Sequence, residues 1–202
     1  MRALDIAVAL PALVLCGPLL AFLALLVRAT SRGPALYRQQ RLGRGKHVFT
    51  LLKLRTMYVH SDDAIHREYV TTQLTGSQPQ VCGRRGLFKL DGDPRVTLVG
   101  SWLRRTSLDE LPQLLNVLKG EMSVVGPRPV LAWEAELFAA RHQRRFEVKP
   151  GITGLWQVSG RSRLTMQQAL DLDAEYVRRR SLALDVMILL RTLPALMKGG
   201  AA

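Results

Sequence analysis

Two adjacent carboxylates, Asp109 and Glu110, stand just before an apolar helical segment, with Ser107 ahead of them and Pro112 behind. Ser107 and Glu110 have the spacing of a helix capping box, which is a purely structural role. Pro112 fits only the first turn of a helix, so it moves the predicted helix start towards Asp109. Both carboxylates then lie at the helix N-terminus, where the dipole favours an ionised Asp and attracts phosphate. A carboxylate beside a bound phosphoryl group is a competent nucleophile.

Arginines flank this pair in sequence. Arg104 and Arg105 precede it, and the turn Gly126-Pro127-Arg128-Pro129 presents one guanidinium after it. Arginine suits phosphate because its planar fork binds two oxygens at once. The chain has a formal net charge of +13 over 202 residues. A single arginine in so basic a chain is equally well a solvated surface charge, and nucleic acid, anionic lipid and phosphorylated substrates all remain candidate partners.

The elements that must position these residues are mainly helical. A β-hairpin is predicted around the turn at residues 43–46, and a short helix over 62–70. Four further helices are predicted over 109–118, 133–146, 164–180 and 182–197. The last is apolar almost all round, so it is either buried or lies in a membrane surface.

The N-terminal segment from residue 6 to residue 27 has no charged residue and is just long enough to cross a bilayer core of about 30 Å. Pro11 and Pro18 interrupt it, and each removes a helical hydrogen bond. Two topologies therefore stay open: a kinked helix that spans the bilayer, or a helix that breaks near Gly17-Pro18 and returns to the face it entered.

A basic flank follows this segment, since no acidic residue occurs between Asp5 and Asp62. Its cations are Arg28, Arg32, Arg38, Arg41, Arg44, Lys46, Lys53 and Arg55. The positive-inside rule places this flank in the cytoplasm and permits either topology.

Five blocks, in order along nearly the whole chain, resemble the bacterial sugar transferases known as monotopic phosphoglycosyl transferases. The blocks are GPALYRQQRLGRGKHVFTLLKLRTM (33–57), DPRVTLVGSWLR (93–104), RRTSLDELPQLLNVLKGEMSVVGPRP (104–129), KPGITGLWQVSGRS (149–162) and LDAEYVRRRSLALDVMILLRT (172–192). The resemblance implies an enzyme that transfers a sugar 1-phosphate from a UDP-sugar to undecaprenyl phosphate and releases UMP. It serves exopolysaccharide, O-antigen or capsule assembly, and glucose or galactose is the favoured sugar.

The resemblance also assigns residues. Asp109 would be the nucleophile of a covalent phosphosugar intermediate and would hold Mg²⁺, with Glu110 as its catalytic partner. Substrate-binding roles fall on Arg104, Arg128, Arg161, Lys53, Arg55 and Gln157.

The implied fold is mainly α with a small β-hairpin, a re-entrant membrane helix broken at Pro18, and interfacial amphipathic helices. Residues 1–32 would form the membrane helix and basic flank, and residues 33–202 the cytosolic catalytic domain. The expected location is the cytoplasmic face of the inner membrane, on anionic phospholipid, with no nucleic acid partner and a homodimer left open. Two alternatives are a membrane-tethered binding module and a phosphohydrolase that uses Asp109 with water as acceptor.

Overall fold

The computed structural model describes residues 1–59, 61, 64–75, 93–160 and 163–197. Its helices are α1 (Arg2–Thr30), α2 (Ala64–Thr75), α3 (Leu98–Thr106), α4 (Gln113–Lys119), α5 (Ala132–Glu136), α6 (Leu155–Ser159), α7 (Met166–Arg179) and α8 (Leu182–Met197). Its strands are β1 (Leu36–Leu42), β2 (Val48–Leu54), β3 (Ser123–Val125) and β4 (Gly151–Thr153). Short 3₁₀ turns cover Arg44–Lys46, Leu108–Glu110 and Ala140–Glu147. The prediction of a mainly helical chain with a small sheet and one long apolar helix is confirmed.

The predicted hairpin is formed by β1 and β2, which pair antiparallel from Leu36 opposite Leu54 to Leu42 opposite Val48. Its turn uses left-handed backbone at Gly45 and Lys46, with φ of 63° and 62°. The glycine meets that requirement without a steric cost, which is why the Gly-rich turn could be predicted from sequence.

A second sheet was not predicted. β3 and β4 pair in parallel, with Ser123 opposite Gly151 and Val125 opposite Thr153. Each strand has three residues, too few to show a period-2 pattern. Helices α3 and α6 were also missed, because they are short and their apolar positions are few.

The predicted helix over 133–146 is wrong as a single element. The structure has α5, then a 3₁₀ segment over Ala140–Glu147. Phe138 and Phe146 both enter the core cluster that includes Trp156 and Leu170. Phe138 lies between the two segments and Phe146 lies in the second.

Helix α1 is continuous from Arg2 to Thr30 and contains both Pro11 and Pro18. It is long and apolar enough to cross a membrane by length and composition. No interruption occurs at Gly17-Pro18, so the predicted helix break at Pro18 is not confirmed. The re-entrant course and the interfacial role of other helices stay predictions.

Both ends of α1 pack against the rest of the chain. Near the N-terminus, Ala9 is buried in a cluster with Leu114 of α4 and Met122. Near the other end, Leu23 and Val27 are buried against residues of β2 and α3. The stretch between these contacts is largely exposed, with Val14 at 69% and Leu15 at 80%.

Candidate active site

Asp109 and Glu110 lie in the 3₁₀ turn that joins α3 to α4. Ser107 ends α3 in the left-handed conformation, with φ of 58°, and its N–H donates to the carbonyl of Leu103. Helix α3 therefore ends directly before the carboxylates. Asp109 is buried at 3% exposure.

Two details predicted for this turn are wrong. Helix α4 begins at Gln113 with Pro112 as its N-cap, so Asp109 and Glu110 precede the helix and do not occupy its first turn. The capping box of Ser107 and Glu110 is also not formed, because Ser107 makes no side-chain capping bond. The left-handed Ser107 and the proline, which has no N–H, leave the intervening residues to close a 3₁₀ turn of their own.

Glu110 lies between two cations. Its Oε1 is 3.8 Å from Nζ of Lys53 and 3.9 Å from Nη1 of Arg128. These separations are longer than hydrogen bonds, so the attraction is electrostatic. Burial lowers the pKa of Lys53 to about 8; Glu110 acts against this fall and Arg128 adds to it.

Asp109 has its own cationic surroundings. Lys53 on β2 and Arg104 in the last turn of α3 both interact with its charge. Burial lowers the pKa of Arg104, whereas the carboxylates of Asp109 and Asp93 act against that fall. A buried carboxylate with cations around it can receive a phosphorylated ligand, because those cations offset the added negative charge.

Arg128 is carried by a turn that the second sheet fixes. The N–H of Gly126 donates to the carbonyl of Thr153 at 2.9 Å, and the N–H of Gly151 donates to the carbonyl of Pro127 at 2.8 Å. A Cβ at Gly126 would lie only 2.5 Å from the carbonyl oxygen of Lys149. Glycine is therefore required where these two chain segments meet.

A narrow cavity is lined by some of these groups, but not by Asp109 or Arg104. Among the predicted residues it brings together Lys53, Glu110, Arg128 and Gln157, and β4 forms part of its wall. Gln157 lies in α6 and donates from Nε2 to the carbonyl of Ile152 at 3.0 Å.

Arg41 and Gln113 also line the cavity and were not predicted as site residues. The Arg41 guanidinium donates to Oε1 of Gln39 from Nε and Nη2, at 3.0 and 2.7 Å, and is 3.5 Å from Glu134. Burial lowers the pKa of Arg41 to about 10, with Glu134 acting against the fall. Gln39 and Arg41 are two residues apart in β1, so their side chains lie on the same face of the strand. This spacing is the sequence signal that could have indicated Arg41 as a site residue.

Arg55 lies elsewhere. Its guanidinium donates at 2.7 to 3.2 Å to the carbonyls of the segment that leaves α1, which are those of Ser31, Arg32, Gly33 and Pro34. The structure therefore does not bring it to the cavity, and its substrate-binding role stays a prediction. Arg161 lies outside the described residues.

The carboxylates of the turn fit the expected Mg²⁺. Within the described part of the chain, no group of three or more His, Cys, Asp or Glu residues could hold a metal. Mg²⁺ typically takes one or two carboxylates and completes its octahedral shell with water and substrate phosphates. Asp109 and Glu110 supply that kind of donor set, beside cations suited to a phosphorylated substrate.

Residues 1–199 match the family described as bacterial sugar transferase. The chain belongs to the bacterial sugar transferase family. The predicted family and the predicted class of enzyme, a transferase, are thereby confirmed.

Named relatives of this sugar transferase share about 40% of its residues. The galactosyl transferase CpsE of Streptococcus agalactiae is 41% identical over 202 residues, which are all of this chain and 43% of that protein. The exopolysaccharide production protein ExoY of Sinorhizobium fredii is 40% identical over 194 residues, 96% of this chain and 84% of that protein. The UDP-glucose:undecaprenyl-phosphate glucose-1-phosphate transferase of Caulobacter vibrioides is 41% identical over 204 residues, 97% of this chain and 69% of that protein. This chain thus spans less than half of the streptococcal relative.

Proposed function

We propose that this sugar transferase moves a sugar 1-phosphate from a UDP-sugar to undecaprenyl phosphate, in glycan assembly, through a covalent intermediate on Asp109. The observation that carries the proposal is that Asp109 is buried next to Glu110 and interacts electrostatically with the cations Lys53 and Arg104. The name of the Caulobacter relative supports this pair of substrates.

The chemistry divides into two displacements at one phosphorus. A carboxylate oxygen of Asp109 attacks the β-phosphorus of the UDP-sugar, and the bond from that phosphorus to the bridging oxygen breaks. UMP leaves with the bridging oxygen and its electron pair. A phosphate oxygen of the polyprenyl phosphate then attacks the same phosphorus, which releases the Asp109 carboxylate and forms the lipid-linked sugar diphosphate.

The surrounding side chains have separable roles. Lys53 and Arg128 bind and orient the diphosphate, and Arg104 keeps Asp109 ionised. When no substrate is bound, the Glu110 carboxylate holds the Lys53 and Arg128 side chains in place. Mg²⁺, held by Asp109, would supply positive charge that offsets the diphosphate and stabilises the leaving UMP.

The test is a half-reaction without lipid acceptor. Purified protein is mixed with UDP-glucose or UDP-galactose labelled with ³²P at the β-phosphate, and UMP and protein-bound label are counted. We expect about one UMP and one retained label per active protein, and lipid-linked product after undecaprenyl phosphate is added. Asp109→Asn and Glu110→Gln should release little or no UMP. Asp171→Asn, at a partly exposed carboxylate of α7, is the control and should react normally.

The alternatives give different products. Free sugar phosphate without lipid would indicate a phosphohydrolase, and no UMP from the wild-type protein would indicate a binding module. Transfer at near wild-type rate by Asp109→Asn, with deamidation checked by mass spectrometry, would refute the covalent mechanism.

We further propose that α1 is re-entrant and holds the catalytic domain at the cytoplasmic face of the inner membrane. Arg2 donates to the carbonyls of Val117 and Leu118 at the end of α4, while Val27 at the far end is buried on the same body. A straight span would separate the two ends by the full thickness of the bilayer. Exposed arginines of the basic flank suit anionic phospholipid.

Topology is tested in whole cells with a membrane-impermeant thiol reagent. The protein is made free of cysteine and given one new cysteine beside Met1. We expect no labelling from the periplasm in the otherwise unaltered chain, and labelling after Pro11→Ala/Pro18→Ala straightens the helix. Periplasmic labelling without the proline changes would contradict the re-entrant course and leave the chemistry at Asp109 untouched.

A further inference from the structure

A buried ion pair outside the cavity contacts the backbone of Arg128. Arg145 lies in the 3₁₀ segment Ala140–Glu147 and Asp173 lies in α7. Nη2 of Arg145 is 2.9 Å from Oδ2 of Asp173, and the two side chains are only 2% and 3% exposed. The same Nη2 donates to the carbonyl oxygen of Arg128 at 2.6 Å.

Asp173 also interacts electrostatically with the backbone of Arg128. Burial raises the pKa of Asp173, and both the Arg145 guanidinium and the backbone N–H of Arg128 act against that rise. The pair therefore interacts with the N–H and the carbonyl of one residue. Arg145 is itself oriented by the ring of Phe138, whose centroid lies 5.1 Å from the guanidinium carbon.

We infer that Arg145 and Asp173 are positioning residues that fix the backbone of Arg128, and so aim its guanidinium at the phosphates of the substrate. This inference rests on the proposed function. The Arg128 side chain lines the cavity beside Glu110, whereas its backbone carbonyl accepts from Arg145 of the 3₁₀ segment, which is paired with Asp173 of α7.

Stability alone is a weak reason for such a pair. Moving two charges from water into the core costs about as much free energy as their attraction returns. Well-packed apolar residues therefore often replace a buried ion pair without loss of stability. An apolar pair cannot supply direction, because only a donor oriented by a charged partner can hold the carbonyl of Arg128. Misplacement of a binding group by about 1 Å can reduce a rate about a hundredfold, so a fixed backbone has functional value at this position.

The test is a double-mutant cycle. Arg145→Met/Asp173→Leu removes both charges together and leaves no uncompensated ion in the core. The affinity for UMP is measured by calorimetry, and KM for UDP-glucose and UDP-galactose is measured from UMP release. We expect affinity to fall about tenfold in the wild-type background and to show almost no further change in an Arg128→Ala background, because residues that act through one group are not additive.

Thermal unfolding separates this role from a structural one. Any loss of stability from the paired substitution should be the same in both backgrounds, whereas the affinity loss should need Arg128. Asp171→Asn is the matched control, since Asp171 also joins the 3₁₀ segment to α7, through His142 and Arg141, and should leave UMP affinity unchanged. Equal affinity losses with and without Arg128, or no loss at all, would overturn the inference.

A second variant tests the inference if the paired substitution prevents folding. Arg145→Lys keeps the charge next to Asp173 but loses the planar fork that serves two acceptors, so UMP affinity should fall here too, by a smaller factor. Unchanged affinity in that variant would also overturn the inference. The outcomes remain distinguishable from failure of the proposed function: a wild-type protein that binds UMP but transfers no sugar phosphate would refute the reaction alone.

Discussion

A buried carboxylate helps to attach the N-terminal end of α1, and the effect of its removal should be measurable. Oδ1 of Asp5 accepts from Oγ of Ser123 at 2.7 Å and from the N–H of Val124 at 2.9 Å. Asp5 is 4% exposed. Asp5→Ala removes both bonds and leaves the Val124 N–H without this acceptor.

The expected size follows from the number and kind of bonds. A hydrogen bond to a charged group contributes about 1.5–3 kcal/mol, so losing two should reduce the free energy of unfolding by about 3 kcal/mol or more. In a protein of this length, each 1 kcal/mol shifts Tm by roughly 2–4 °C, which gives a fall of about 6–12 °C. Asp5→Asn keeps an oxygen that can accept from both donors and loses only the charge. Its Tm should therefore fall by about half as much as that of Asp5→Ala.

The assay is thermal unfolding of the purified protein in one detergent, followed by tryptophan fluorescence. Glu136→Ala is the control, because Glu136 is an exposed carboxylate on α5 and should shift Tm by less than about 1 °C. A Tm for Asp5→Ala within about 1 °C of the wild type would refute the role of this contact. Asp5→Ala should also increase the reactivity of a new cysteine beside Met1, because the helix end is no longer held on β3.

Three further predictions concern the site and its support. Arg128→Lys should raise KM for the UDP-sugar about tenfold despite keeping the charge, because bidentate geometry is lost; unchanged kinetics would contradict a role of Arg128 in substrate binding. Because the pKa of Lys53 is lowered to about 8, its charge is lost as pH rises through that value, and kcat/KM for UMP release should fall about tenfold between pH 7 and 9. Lys53→Arg should abolish that fall, and a fall that persists in this variant would exclude Lys53 as its cause. Gly100→Ala should destabilise the protein by about 1–3 kcal/mol, since its Cβ would overlap the Thr56 carbonyl group; a Tm equal to that of Ser101→Ala would contradict this close approach.

Several elements could be predicted because the relevant information is local. Gly43 and Gly45 specify the hairpin turn, and α1 and α8 follow from long apolar runs. The choice of Asp109 and Glu110 as the centre of the proposed phosphate site also came from adjacent residues.

The arginines show where local information ends. Arg55 and Arg128 are both predicted substrate ligands from basic, motif-rich stretches, yet Arg55 binds four carbonyls at the exit of α1 and Arg128 enters the cavity. Arg41 was only one cation of the basic flank and proves to be buried beside Glu134. The distinction depends on which distant residues lie opposite each guanidinium.

The sequence by itself therefore determined the family, the apolar helix and the identity of the acidic pair, because motifs and hydrophobic runs are properties of neighbouring residues. Tertiary structure alone decided that β3 pairs with β4, that both ends of α1 rest on one body, and that Lys53 and Arg128 meet across Glu110. Those contacts join residues far apart in the chain, and their geometry is set by packing and by the cost of burying charge without a partner.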